Sequence, residues 1–306
     1  MLRPFIANRA LRVQALAVFS IVTALALTSL APLWLLALGP IVLGVPHLVA
    51  DARYLVAQPG LHRHGALSWL LFLPLIGIAL GAPPFVGLLS MVPAVLLANA
   101  RFSLKLAGLS AWLALTFAAF HFENHFLLAF LHLHNLVALA FWWAWRPREA
   151  RSLLIPLLVV AALFFIFLGG ADSAVAHSGP RTGSPFGEFV ETNAPGFEPM
   201  LAARLILSFA FLQSLHYAVW LRLVPDDARA RPAPRPFAAS WNALERDLGL
   251  PLLLVCVVAC VVFAAWGVVN LAEARDGYLR LASFHGYLEL AAGAYFLVQQ
   301  KRPAPC

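Results

Sequence analysis

Apolar runs close to the length of a membrane span recur along this whole chain, and that recurrence constrains the fold more than any motif does. A helix needs about 20 predominantly apolar residues to cross a hydrocarbon core about 30 Å thick. Composition agrees: of 306 residues 62% are hydrophobic and only 11% are charged, against roughly 25% charged in soluble domains. The expected fold is an all-α polytopic integral membrane bundle of about ten transmembrane helices. A large soluble helical protein is excluded on the same grounds. The net charge of +7 does not point to nucleic acid, because the basic residues gather in short loops as the positive-inside bias requires.

The spans are expected near 14–33, 35–57, 66–81, 85–100, 104–121, 126–145, 152–170, 200–223, 249–272 and 278–299. Arg3, Arg9 and Arg12 ahead of the first run resemble a signal peptide, but the run from Ala15 to Leu38 is long for one, so it reads as an uncleaved span. A single helix over 104–145 would reach about 63 Å at 1.5 Å per residue, too long for one crossing. A break is therefore expected at 121–126, although that junction has neither Gly nor Pro. The chain reads as one transmembrane domain, 1–306. Its two longer connections are an extracytoplasmic loop at 171–199 and a charged, proline-rich cytoplasmic loop at 225–246. Placing the Lys/Arg-bearing loops inside puts both termini in the cytoplasm. The 171–199 loop, with Glu188, Glu191 and Asn193, reads as a lid or a flexible connector, and its Gly, Pro and Ser content favours the connector.

Against this apolar background the ionisable residues inside spans stand out, because such groups are costly there and usually face the bundle interior. Gly44-Val45-Pro46-His47-Leu48-Val49-Ala50-Asp51 puts a histidine and an aspartate four residues apart, on one face of a helix. His121, His125, His132, His134, His216 and His285 also fall in or at the edge of spans, and Glu289 follows His285 by one turn. At 1.5 Å per residue, His47, His134 and Glu289 come out near mid-bilayer, with Asp51 and His216 about a turn deeper. His121, His125, His132 and His285 lie nearer the outer surface. Neutral imidazole suits iron, copper and zinc. Asp51 and Glu289 are the carboxylates that would orient the ligands or act beside them. Cys256 and Cys260 read as packing residues, and no thiolate or Glu-x-x-His pattern points to an iron–sulfur or soluble di-iron centre. A b-type haem site, a proton relay and a transporter also use intramembrane histidines and carboxylates. Gly44-Val45-Pro46 is expected to break its helix.

The remaining polar residues have plainer expectations. His62, His64 and His177 read as solvated. Trp142, Trp143 and Trp145 read as interfacial anchors, and Arg222, Asp226 and Asp227 as a solvated helix end. Asn135 and Gln213 read as helix–helix glue or as site residues.

The segment Gly44-Val45-Pro46-His47-Leu48-Val49-Ala50-Asp51 resembles the Gly-x-Pro-His-Gly-Ala-x-Asp motif of the bacterial Brp/Blh-type β-carotene dioxygenase family, with Leu48 where that motif has glycine. His121-Phe122 is similar to that family's second histidine region, and Ser214-Leu215-His216-Tyr217 to a later one, although Trp220 stands where a second histidine is expected. The resemblance covers about a tenth of the chain. It implies an integral membrane enzyme of the bacterial inner membrane, with iron (Fe2+) held by His47, His216 and His121 or His125, and Asp51 in support. The function it implies is oxidative cleavage of a carotenoid or other apolar lipid taken from the bilayer. His132 and His285 are the reserve ligands and Glu289 a second carboxylate. The alternative is a non-enzymatic multi-pass protein, a transporter or assembly subunit, whose histidines are structural or relay protons.

Overall fold

The computed structural model describes residues 8–177, 190–191, 193–229, 233 and 236–299, without the side chains of 123, 124, 148, 176 and 177. Glu188, the side chain of His177, and the terminal Lys301, Arg302 and Cys306 lie outside that set.

Local chemistry sets the first two helices. Asn8 caps α1 (Arg9–Leu30), its side chain accepting from Leu11 N at 3.1 Å, which satisfies one of the N–H groups a helix start leaves open. Ala31 turns the chain, and Pro32 opens α2 (Pro32–Asp51), a position where the missing proline N–H costs nothing. The expected break at Gly44-Val45-Pro46 does not occur, since α2 runs unbroken through Pro40 and Pro46. Proline's fixed φ suits a helix, and in each case a single carbonyl loses its donor. Past Asp51 the helix widens into a π turn, Ala52–Ala57, and Gln58 N donates to Arg53 O at 2.9 Å.

The next elements are α3 (Ala66–Ala79), α4 (Pro84–Leu88), α5 (Met91–Leu97), α6 (Phe102–His121) and α7 (Glu123–Trp145). The break required within 104–145 falls at Phe122, whose φ of −129° and ψ of 39° leave the helical region. Then come α8 (Leu154–Phe167), α9 (Asp172–His177) and α10 (Pro199–Ala218), the last continuing through a π turn, Val219–Leu223, to Asp227. The order closes with α11 (Phe237–Leu248), α12 (Leu250–Val269), α13 (Leu271–Ala282) and α14 (Phe284–Gln299). Every regular element among the described residues is helical. Six described helices are long and apolar enough to cross a membrane: Arg9–Leu30, Pro32–Ala57, Phe102–His121, His125–Trp145, Pro199–Asp227 and Leu250–Val269. Phe102, Leu168, Val268 and Val269 are each at least 80% exposed, an apolar surface that water would not tolerate and lipid would.

Two compact units make up the fold, one from residues 1–43, 138–234 and 305–306, the other from 44–137 and 235–304. In the first, α10 packs on α1 and α8, and α1 also packs on α8 and α9. At one end Arg204 grips Asp172 through two hydrogen bonds, 3.0 and 2.6 Å, and donates to Phe167 O at 3.0 Å. Here two expectations fail. Asp226 is fully buried and paired with Arg12 at 2.9 Å, so this helix end is not solvated. Trp142 is buried too, donating Nε1–H to Asp227 Oδ2 at 2.8 Å, so it is no surface anchor. Arg222 is exposed as expected.

In the second unit α14 is the centre, packing on α3, α4, α5, α6 and the π turn after α2. Gly87 makes the close approach possible: a β-carbon there would lie 2.6 Å from the Tyr287 ring. Within the stretch expected as the cytoplasmic loop lies α11, tied to the π turn by Arg53 Nε to Asp247 Oδ2 at 2.8 Å.

Candidate functional site

The second unit holds a group of buried polar side chains with the composition of a ligand site. His47 and Asp51 stand one turn apart on α2, each 1% exposed, with His47 Nε2 3.9 Å from Asp51 Oδ2. His285 and Glu289 stand one turn apart on α14, Glu289 fully buried. The His285 ring makes edge contacts with two other imidazoles, centroid to centroid 4.8 Å from His47 and 5.2 Å from His134 of α7. The ring nitrogens that His47 and His285 offer lie within 4.8 Å of each other. Three imidazoles and two carboxylates thus share one apolar interior.

The sequence builds this group through close helix approach. Gly286, next to His285, leaves room for Phe130, whose ring would lie 2.8 Å from a β-carbon there, and for His134 at 3.6 Å. Phe130 stacks on Tyr287 at 4.6 Å and on His134 at 5.8 Å, forming an aromatic wall. Gly44, one turn before His47, does the same for α13: a β-carbon there would collide with Cζ and Oη of Tyr278. The glycine of the motif therefore serves contact rather than a helix break.

Hydrogen bonds fix the imidazoles. His285 Nδ1 donates to Ala282 O at 2.5 Å and His134 Nδ1 to Phe130 O at 3.2 Å. A carbonyl only accepts, so in both rings Nδ1 carries the proton and Nε2 carries the lone pair, the form in which histidine binds a metal. Two bonds of about 2.1 Å to one ion span at most about 4.2 Å, which a small side-chain shift reaches from the separation present. Asp51 accepts no hydrogen bond among the described residues at either oxygen, although both are buried. A bare carboxylate in such a place is costly. A proton or a nearby cation removes that cost, so this donor set fits a bound metal.

Alongside the group runs an apolar cavity of about 460 Å³, lined by Leu48, Ala52, Phe72, Leu75, Phe284 and Leu288 among others. Leu48 and Ala52 directly follow His47 and Asp51, and Phe284 and Leu288 directly precede His285 and Glu289. On each helix the polar and the apolar stripe are neighbours, about 100° apart. The volume lies within the range of small-molecule sites, about 300–1,000 Å³.

His121, His125 and His132, also expected as ligands, are not part of this buried group. His121 is exposed, stacked on Phe117 at 4.0 Å with Nδ1 donating to Phe117 O at 3.1 Å. His125 is exposed and His132 half-buried, the latter donating to Leu128 O at 2.8 Å. None of these three shares the burial of the group. His216 belongs to the first unit, on α10, 1% exposed with its ring 6.0 Å from Tyr217. Gln213, one turn earlier, donates to Tyr217 Oη at 3.4 Å, and Asn135 donates to Leu131 O at 2.8 Å. His134, which sequence reasoning left out of the ligand candidates, stands in ring contact with His285. Its estimated depth, level with His47, was the usable signal. His62 and His64 are exposed. Comparison of the chain with protein-family models, curated proteins and solved structures finds no match.

Proposed function

We propose that this protein is a membrane-embedded, histidine-ligated non-haem iron oxygenase acting on an apolar lipid or carotenoid-like substrate. The observation that carries the reading is the His285 ring in edge contact with both His47 and His134, with Asp51 and Glu289 buried a turn away. The composition of the group supports iron among the metals that imidazole suits, because carboxylates and no thiolate accompany it. Iron with an open position supplies activation of dioxygen. His47, His134 and His285 would hold the metal, and Asp51 would orient His47 or take up a proton near it. The sequence resemblance adds His216, and His121 or His125, as further ligand candidates, with His132 in reserve. Leu48, Ala52, Phe284 and Leu288 would seat the hydrocarbon and keep water from it. The apolar lining supports a substrate without polar groups along the part it covers.

This reading sets ten spans in a bacterial inner membrane, both termini cytoplasmic. The six long helices support it, as do the shorter apolar Ala66–Ala79, Pro84–Leu97 and Leu154–Phe167. The bare Asp51 beside His47 also favours a second reading, an intramembrane proton relay in a transporter or assembly subunit.

Metal content and the visible spectrum of detergent-purified protein separate the two. The oxygenase reading expects about one iron per chain, no haem Soret band, and loss of iron in His47→Ala and His285→Ala. Wild-type protein that stays free of iron after anaerobic reconstitution with Fe2+ would leave the relay. Activity on β-carotene or another polyene is the following step.

A further inference from the structure

The first unit concentrates permanent charge where α1 begins and where α7 and α10 end. Asp226, fully buried, takes Arg12 at 2.9 and 3.2 Å and Arg229 at 3.0 Å. Asp227 accepts a hydrogen bond from Trp142 Nε1 at 2.8 Å and is paired by charge alone with Arg146 Nε at 3.0 Å, and its carbonyl accepts from Arg9 Nη1 at 3.4 Å. Three guanidinium groups thus meet two carboxylates, and a fourth meets a backbone carbonyl beside them. Arg146 is the extreme case, with a fully buried side chain whose cation lies 4.9 Å from the Trp142 ring centroid. Its Nε, Nη1 and Nη2, and Nε of Arg9, are buried and donate no hydrogen bond among the described residues. A fifth arginine, Arg151, donates to Arg146 O and Ala144 O at 3.2 and 2.9 Å.

We propose that this cluster is a phosphate site that takes the headgroup of an anionic phospholipid from the cytoplasmic leaflet. Buried cations need an anion, and the two aspartates are already engaged. Guanidinium forks match phosphate oxygens two at a time. The basic ends of α1, α7 and α10 belong to the cytoplasmic side by the positive-inside bias, the level at which basic pockets between helices hold lipid headgroups. Arg9 is only half-buried and Asp227 retains 15% side-chain exposure, so these two form the accessible edge. Burial lowers the affinity of the Arg146 guanidinium for its proton, and Asp227 offsets this only in part. The site is independent of the histidine group.

The test is thermal unfolding of the full chain in delipidated neutral detergent, with phosphatidylglycerol, phosphatidylcholine or inorganic phosphate added. Phosphatidylglycerol should raise Tm by about 5 °C, the size a ligand well above its Kd gives a chain of this length. Phosphatidylcholine should leave Tm unchanged. Arg9→Gln and Arg146→Gln should each lose the rise, and Arg63→Gln, in an exposed loop, should keep it. Arg9→Gln decides alone if Arg146→Gln does not fold. An equal rise with inorganic phosphate upholds the phosphate site and assigns it to the free anion. Equal effects of both lipids, or a full rise in Arg9→Gln, overturn the proposal.

Discussion

The two units bury ionisable side chains by different means. The first keeps permanent charges, arginine against aspartate, with ion pairs of 2.9–3.0 Å at Asp226 and Asp227. The second also has such a pair, Arg53 with Asp247 at 2.8 Å, but its histidine group keeps side chains that can be neutral: three imidazoles, two of them with Nδ1–H donated to a carbonyl of their own helix, and the Asp51 carboxylate, 3.9 Å from His47 Nε2. A permanent charge in an apolar interior must find a countercharge, so the first unit builds pairs between residues far apart in sequence. An imidazole in the same surroundings can shed its charge and keep a lone pair, which is what a metal ligand needs. The difference separates polar groups that hold a bundle together from those left to act.

The largest effect expected from breaking this comparison is at Asp226. Asp226→Asn keeps the shape and removes the charge that Arg12 and Arg229 both face. It should destabilise the protein by about 3–5 kcal/mol, read as a fall in Tm or as lost expression. A fall no larger than that of an exposed control such as Asp276→Asn would show that the pairs are not what holds this end.

Gly44→Ala probes the second unit. The new β-carbon meets the Tyr278 ring, an overpacking that costs about 1–3 kcal/mol. The double variant with Tyr278→Leu should recover part of that loss, whereas Tyr278→Phe should not, because the ring itself is in the way. Recovery by Tyr278→Phe would point instead to the hydroxyl.

Asp51→Asn should weaken metal binding about 10–100-fold, the usual effect of removing a carboxylate that supports a ligand. Fe2+ titration of the apoprotein reads this directly. Unchanged affinity would detach Asp51 from the site and favour its role as a relay.

These residues also mark where sequence reading reaches its end. The run of apolar segments is local information, and it located each long helix and required the break that falls at Phe122. The pairing of His47 with Asp51 was legible because both lie on one helix at a known spacing. Arg12 and Asp226 are 214 residues apart, and no local pattern tells a buried aspartate from a solvated one at a helix end. Gly44 was misread for a related reason. Glycine before proline suggests a break, and only the Tyr278 ring, from a helix more than two hundred residues later, gives the residue its purpose. His134 was at the right depth but lacked a motif, and depth alone does not state which helix faces which.

The smallest effect expected is at Asp172, where the charge pair lies near the surface of the first unit. The Arg204 hydrogen bonds hold the Asp172 carboxyl below its ordinary value, desolvation opposing them. The neighbouring Glu198 carboxyl is lowered as well, by the backbone N–H groups of Met200 and Leu201, as expected of a helix N-cap. A carboxyl with a depressed folded pKa binds fewer protons than it does unfolded, so its contribution is present above the ordinary carboxylate value, about 4, and is lost as pH falls below it. With side chains 27% exposed, the Asp172–Arg204 pair is screened by solvent and contributes little. Asp172→Asn should therefore lower Tm slightly at pH 7, and the difference should shrink as pH falls from the ordinary carboxylate value through the depressed folded one, where the wild type loses the same interaction. A difference that persists undiminished through that range would mean that Asp172 acts through its shape rather than its charge, and that the pairing rule of the first unit stops at its buried end.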